Sequence, residues 1–493
     1  MNVPRTILCL VVLLLAKPSW GGQSGASWAI KDAVLIDGTG APPLTGSVIV
    51  GRGDRIACVG RVTDCQIPGD ATILNAAGKW VIPGLIDTHV HLNWGANNAA
   101  HDAQVIRLAF GTTTTREAGT PRQLEQNLAV KRRAEAADLA EPRLVVSGLV
   151  SPENGKADPA SISAAVRHLA DAGVDAIKIK QDFDADAVQA IVSEAHAHYL
   201  PVFGHTWGGN GSFLAAALAA GIDGVSHMYT FSEYAKRAGA ARQPAPGGLD
   251  YWVWTKEDWN DLDEQRLSEV ADTIVKQHVW FEPMLGSEKY FTLEYPLPDD
   301  VAYLGEIRSL KQLVGASLPV GDSGWSARRR RQARVDAVYG RMCEFARQLH
   351  QRGGIMITGT DGVQPGPALL DEVALLRDCG LSPMAALQAA TSRAAAAIER
   401  RDLGTIEVER IADLVVLDGD PLADAANLRR VWRVVKGGHF YDPAALLAPV
   451  KAAYAKQSTQ IWTIRAAGAG MLVVIAGFLA SVQARRRRRS RAA

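Results

Sequence analysis

The sequence predicts an α/β fold centred on an eight-stranded (β/α)8 barrel, and three observations carry that expectation. First, the run VIPGLIDTHVH, from Val81 to His91, is an apolar strand that ends in polar side chains. Second, four later runs repeat this texture: GVDAIKIK, VFGHTWG, GIDGVSHM and GIMITGTDG are each short and apolar, and each closes on polar residues with glycine nearby. The carboxyl ends of barrel strands read this way, because the strand body fills the core while its end carries the chemistry. Third, strand and helix signals alternate between these runs, as parallel strands joined by crossover helices require. A chain of 493 residues is too long for one compact core and suits a barrel of about 250 to 300 residues with additions.

Taken in order, strand one is expected at Val81 to Thr88, two near Thr112 to Arg116, three near Arg143 to Ser147 and four at Ala176 to Ile179. Strand five ends at His205, six at His227, seven lies around Val279 to Met284, and eight runs from Ile355 to Thr360. Ser161 to Ala172 and Asp184 to Tyr199 have the composition and spacing of crossover helices, and a helix from Ser382 to Glu399 follows the last strand. Ahead of the barrel, WAIKDAVLIDGTG, GSVIVGRGDRIACVG and ATILNAAGKWVIPG read as short strands with glycine turns. Leu403 to His439 repeats that texture far downstream.

Residues i and i+2 of a strand face the same side, so His89 and His91 converge at one strand end. Two imidazoles so placed hold one metal ion when other strands supply further ligands. Lys178, His205, His227 and Asp361 close the later runs in turn. On these residues the chain resembles the amidohydrolase superfamily, in the branch of metal-dependent prolidase-like and imidazolonepropionase-like hydrolases, from about residue 28 to 443. The resemblance implies a TIM-like metal-dependent hydrolase barrel over 81–399. It also implies a composite β-sandwich built from 23–80 and 400–445.

Neutral imidazoles and a carboxylate suit zinc or a similar divalent ion, which lowers the pKa of bound water to about 7. The resemblance implies two zinc ions per chain, with His89, His91 and Asp361 on the first and His205 and His227 on the second. Lys178, once carboxylated, would bridge them; Lys180, two residues away on the same face, is the rival for that role. Asp361 would accept the proton of the attacking water and pass it to the leaving nitrogen. The expected reaction is cleavage of a C–N bond in a small amide or peptide, such as a dipeptide or an N-acyl amino acid. Two alternatives stay open: a mononuclear deaminase or cyclic-amide hydrolase in which Lys178 is structural, and a non-catalytic membrane-tethered binding protein with a degenerate metal site. His101, His168, His196, His198, His278, His350 and His439 read as core or surface groups.

Substrate recognition is sparsely written. The long aromatic stretch after strand six departs from the barrel rhythm, and loops at that face carry specificity. Tyr229, Tyr251, Trp252 and Trp254 are therefore candidates for the substrate mouth, the alternative being a lid packed on neighbouring helices. The cluster Arg328 to Arg331 reads either as an attractor for a substrate carboxylate or as a solvated face. Arg116 and Glu117, in TTTTREAG, match a strand motif of the resembled family and are candidates for groups that support the ligands. One departure is visible: Leu370, in PALLDE, stands where many relatives have histidine.

The chain ends speak to location. Residues 1–22 have the layout of a signal peptide, an uncleaved anchor being the alternative. After a linker over 446–465, the uncharged run 466–482 is just long enough for a transmembrane helix, and the arginine-rich tail 483–493 would lie in the cytoplasm. Abundant alanine and arginine suggest a bacterial source, so the catalytic part is expected in the periplasm, on the inner membrane. The net charge of +1 includes that tail, so the remainder is acidic and carries no nucleic-acid footprint. Cys58 and Cys65 flank a hairpin and read either as a disulfide or as two thiols. A homo-oligomer remains open.

Overall fold

Two eight-stranded sheets organise the chain in the computed structural model, which describes residues 25–92, 99–120, 123–134, 139–150, 158–180, 183–205, 212–237, 258–290, 325–361 and 365–453. The segments 1–22, 466–482 and 483–493, and the aromatics Tyr251, Trp252 and Trp254, lie outside these residues. Among the described residues no helix is long and apolar enough to cross a membrane.

The flanking sheet combines both ends of the described chain. Its strands are β1 (Ser27–Leu35), β2 (Leu44–Arg52), β3 (Arg55–Arg61), β4 (Thr72–Asn75), β5 (Trp80–Pro83), β14 (Leu414–Leu417), β15 (Val431–Lys436) and β16 (His439–Tyr441). Their order is β16-β15-β14-β5-β1-β2-β3, with β4 also pairing with β1. The join is the antiparallel pair β5 and β14, in which Pro83 faces Leu414 and Trp80 faces Leu417. Trp28, Ile30, Leu35, Ile49, Val81, Leu414, Val416 and Val435 form its apolar core, so residues more than 300 positions apart bury one another. This β layer is continuous and bends back on itself until the Ile56 amide donates to the Arg410 carbonyl at 3.0 Å.

The barrel strands are β6 (Leu85–Val90), β7 (Thr112–Glu117), β8 (Arg143–Val150), β9 (Ala176–Lys180), β10 (Val202–His205), β11 (Gly224–Ser226), β12 (Trp280–Glu282) and β13 (Ile355–Met356). They lie side by side in sequence order, each parallel to the next. Closure comes from the backbone beyond β13: the Thr88 amide donates to Thr358 at 3.0 Å, and the Asp361 amide donates to His89 at 2.9 Å. Helices α3 (Pro159–Asp171) and α4 (Ala185–Ala197) cover the sheet, after α1 (Ala99–Ala109) and α2 (Leu124–Ala134). Asp158 and Asp184 cap α3 and α4 by accepting backbone amides, contacts that stabilise a helix by about 0.5–2 kcal/mol.

Three segments differ from the sequence reading, each because of contacts made by other parts of the fold. The run expected as one strand from Val81 to Thr88 divides at Gly84, with the first part in the flanking sheet and the second in the barrel. Gly84 packs against Thr113, whose Oγ1 would lie 2.2 Å from any Cβ there, so only glycine lets the chain cross between sheets at that point. The expected helix Ser382 to Glu399 breaks into Pro383–Ala389 and Ser392–Ala397. The carbonyls of Ala389 and Ala390 accept from the Thr358 and Ile86 amides of the barrel, at 3.1 and 2.8 Å, and so leave the helical ladder. Strand eight is also shorter than expected, because after Met356 the chain bonds to Phe281 and then to strand one in a different register.

Two disulfides are present among the described residues. Cys58 bonds Cys65 across the hairpin, closing the alternative of two thiols. Cys343, on the long helix Trp325–Gln351, bonds Cys379 at the end of the helix Pro367–Asp378, a pair that lies 36 residues apart and was not anticipated.

A candidate metal centre at the barrel mouth

The carboxyl ends of five barrel strands and the turns after them bring the predicted metal-site residues together. His89 lies inside β6 with no exposed surface, and His91 follows that strand and is partly open. His205 ends β10, while His227 directly follows β11, with its amide hydrogen-bonded to the Glu282 carbonyl at 2.9 Å. Asp361 sits beyond β13, where its amide is pinned to strand one. Two groups of three have ligand atoms within 4.8 Å of one another: His89 with His205 and His227, and His89 with His91 and Asp361. The Nε2 atoms of His205 and His227 are 2.8 Å apart, and His91 Nε2 lies 3.3 Å from Asp361.

The local backbone is held away from its preferred conformations. His227, Met284 and Asp361, each just past a strand end, have φ of 68°, 51° and 55°. Non-glycine residues there carry about 1–3 kcal/mol each, and such strain collects where tertiary structure over-determines a site. Gly359 makes one such approach possible, since a Cβ on it would lie 2.6 Å from that of His89.

Electrostatics separates these residues. Burial and the neighbouring Lys178 push the His89 imidazole well below its ordinary pKa, and the same causes act on His205, so both are neutral and able to donate a lone pair. Burial lowers His91 too, but hydrogen bonds to Asp361 and Glu117 outweigh it and leave it raised. Burial lifts the Asp361 carboxyl, yet the His91 hydrogen bond and three imidazoles more than offset it, holding the group ionised. Lys178 is 2% exposed, and burial lowers its amine to about 7. Its Nζ has no hydrogen-bond partner among the described residues and sits 4.6 Å from the Phe203 ring. Lys180, the rival, is exposed.

The donor set fits a divalent metal. Among the described residues, His89 Nε2 is buried without a hydrogen-bond partner, as is Lys178 Nζ, and the neutral nitrogens and ionised carboxylate gathered around them are the donors that zinc and related ions take. Tyr229, a candidate for the substrate mouth, is buried against the cluster: its ring stacks on His227 at 4.6 Å and its hydroxyl lies 3.2 Å from His205 Nδ1. Packing against two histidines takes its side chain away from solvent. Arg329 and Arg330 are exposed, while Tyr251, Trp252 and Trp254 fall outside the described residues.

Supporting groups surround the cluster. Arg116 is fully buried, donates to the Thr88 carbonyl at 2.7 Å and lies 3.7 Å from the centre of the Phe203 ring. Glu117 accepts from the Gly119 amide and the Thr120 hydroxyl and lies 3.6 Å from His91 Nδ1. The sequence reading missed Glu282, Asp87, Glu288 and Glu372. Glu282 is buried against Arg116 and His89. Asp87 ties strand one to Thr360, and burial raises its carboxyl to about 6. Glu288 is buried 4.0 Å from His227 Nδ1. Glu372, two residues past the aberrant Leu370, accepts the Leu285 and Gly286 amides, and burial raises it to about 8. The available signal was an acid inside an apolar run, as in VWFEPM and DTHVH.

Comparison with known proteins agrees with this geometry. Residues 80–440 match the amidohydrolase family model. The chain is 26% identical over 463 residues to an imidazolonepropionase of Anaeromyxobacter sp. (strain K), covering 86% of this chain and 98% of that protein. Among solved structures, a putative prolidase from Bifidobacterium longum superposes with a TM-score of 0.63 at 25% identity, covering 87% of this chain and 99% of the other. A Xaa-Pro dipeptidase with bound methionine shares the fold with a TM-score of 0.62 at 21% identity, covering 85% and 100%. The chain therefore belongs to the amidohydrolase family, in its prolidase-like and imidazolonepropionase-like branch, and is a hydrolase acting on carbon–nitrogen bonds.

Proposed function

We propose that this amidohydrolase cleaves the amide bond of a dipeptide or N-acyl amino acid, using two zinc ions and a carboxylated Lys178. The carrying observation is the Lys178 amine, buried among the histidines, brought to about 7 and without a hydrogen-bond partner among the described residues. A neutral amine is the form that takes up carbon dioxide, and a carbamate would replace a cation that repels metal with an anion that binds it. His89, His91 and Asp361 would hold one ion, His205 and His227 the other, and Lys178 both. When bound, the ions acidify water and polarise the substrate carbonyl. The rest of the chemistry falls to the chain. Asp361, whose side chain is 22% exposed while His89 is sealed, faces the open side of the cluster. There its carboxylate takes the proton of the attacking water and delivers it to the departing nitrogen. Arg116 and Glu117 hold the walls that keep His89 and His91 aimed.

A second reading, a one-metal cyclic-amide hydrolase, is supported by the match over 98% of an imidazolonepropionase. Metal content decides between them. Residues 23–460 purified with bicarbonate and zinc should carry about two metals per chain by elemental analysis, falling to about one in Lys178→Ala. One metal in both proteins would support the one-metal reading instead. Two disulfides, with the signal-like start and the apolar run 466–482, support placing the catalytic part in the periplasm, tethered to the inner membrane. Protease added to spheroplasts should then degrade the enzyme; protection until lysis would sink that placement.

A further inference from the structure

We infer that Glu282 is the positioning residue on which both halves of the metal centre depend, because it fixes which nitrogen of His89 is offered to metal. Four groups from three strands, Thr88 and His89 of β6, Arg116 of β7 and Ser226 of β11, converge on its carboxylate. Oε2 receives His89 Nδ1 at 2.9 Å and the Ser226 hydroxyl at 2.8 Å, while Oε1 meets the Arg116 guanidinium and the Thr88 hydroxyl. The side chain has no exposed surface, and its main-chain carbonyl also holds the His227 amide. One residue of β12 thus grips His89 through its side chain and His227 through its backbone.

The proton inventory then sets the tautomer. A carboxylate paired with Arg116 is an acceptor only, so the 2.9 Å contact requires the proton on His89 Nδ1. The lone pair is left on Nε2, the atom buried without a hydrogen-bond partner among the described residues. His89 is also the residue common to both candidate ligand triads, so its orientation matters to each. Outer groups that orient a metal-binding histidine typically change metal affinity by about 10- to 100-fold when removed. Glutamine at 282 keeps the shape but has one oxygen, which cannot serve Arg116 and His89 together.

This inference rests on the metal-centre reading, and its test separates the two. Long-range nitrogen–proton NMR of the metal-free wild-type protein should show His89 as the Nδ1–H tautomer, a result independent of which ion is native. In Glu282→Gln that tautomer should become mixed, and zinc should bind about 10- to 100-fold more weakly in competition with a chelator. Thr88→Val removes a contact to the same carboxylate without touching His89, and should keep both the tautomer and the zinc affinity. An Nε2–H tautomer in the wild type overturns the inference even if Glu282→Gln fails to fold. Wild-type zinc affinity in a folded Glu282→Gln protein overturns it equally. If no zinc binds the wild type while the tautomer is as expected, the metal reading fails and with it the role in the metal centre, and only the control of the His89 tautomer by Glu282 stands.

Discussion

Lys178 and Lys436 are both buried lysines, one at the barrel mouth and the other where the flanking sheet meets the barrel. Lys436, fully buried, donates to the Ala134 and Leu139 carbonyls at 3.2 and 3.1 Å, tying β15 to the end of α2. Lys178 has no such acceptor among the described residues. A buried polar group without a partner costs about 1–3 kcal/mol, so one lysine stabilises the fold and the other detracts from it. The same contrast extends to their surroundings. The core around Trp28, Val81 and Leu414 is apolar, whereas the barrel mouth buries histidines and carboxylates beside strained backbone. The sheet holds the molecule together, and the mouth keeps groups unsatisfied for a ligand.

Substitutions at the mouth and at the sheet should separate their two roles. The largest effect is expected at Asp361: changing it to Asn should lower turnover by about 10²- to 10⁴-fold while the metal-free protein melts close to wild type. Near-normal turnover would remove its proton-transfer role. Next, Lys436→Met should strand two carbonyls and lower stability by about 1–3 kcal/mol in urea, with metal content unchanged. Lys178→Met should do the reverse, lowering metal content while the metal-free protein is as stable as wild type or more so. A Lys178→Met protein destabilised as much as Lys436→Met would erase the distinction.

Glu372 tests the idea with a milder effect. Its carboxyl is raised from an ordinary 4.5 to about 8 by burial, so the folded state holds a proton that the unfolded state releases. That contribution is complete below about pH 4.5 and is lost as pH rises through about 8. Metal-free wild type should therefore lose stability across that window, and Glu372→Gln should flatten the slope. An equally steep slope in the variant would assign it to other groups.

Much of the barrel was legible because strand ends announce themselves locally. An apolar run closing on histidine, lysine or aspartate marks both the strand and the direction of its carboxyl end, which is why His89, His91, Lys178, His205, His227 and Asp361 could be named together. The crossing at Gly84 was missed: Pro83 and Gly84 signal a break, but only the packing of Thr113 from another strand shows that the chain changes sheets there. The packing of Tyr229 on His227 was not legible, because its place after strand six is known from sequence but its rotamer is not. Cys343 and Cys379 carry no spacing signal, because two helices must pack before their sulfurs meet.

The positions of the barrel strands and crossover helices and the residue types at each strand end were written in the sequence, because each depends on neighbours within one segment. Only the tertiary structure decided that Lys178 is sealed in while Lys180 stays exposed, and that Glu282 becomes the common partner of Thr88, His89, Arg116 and Ser226. Those outcomes depend on how far each strand rises before the barrel closes. Closure is set by hydrogen bonds between Thr88 and Thr358 and between His89 and Asp361, across more than 260 residues of chain, and no local pattern encodes them.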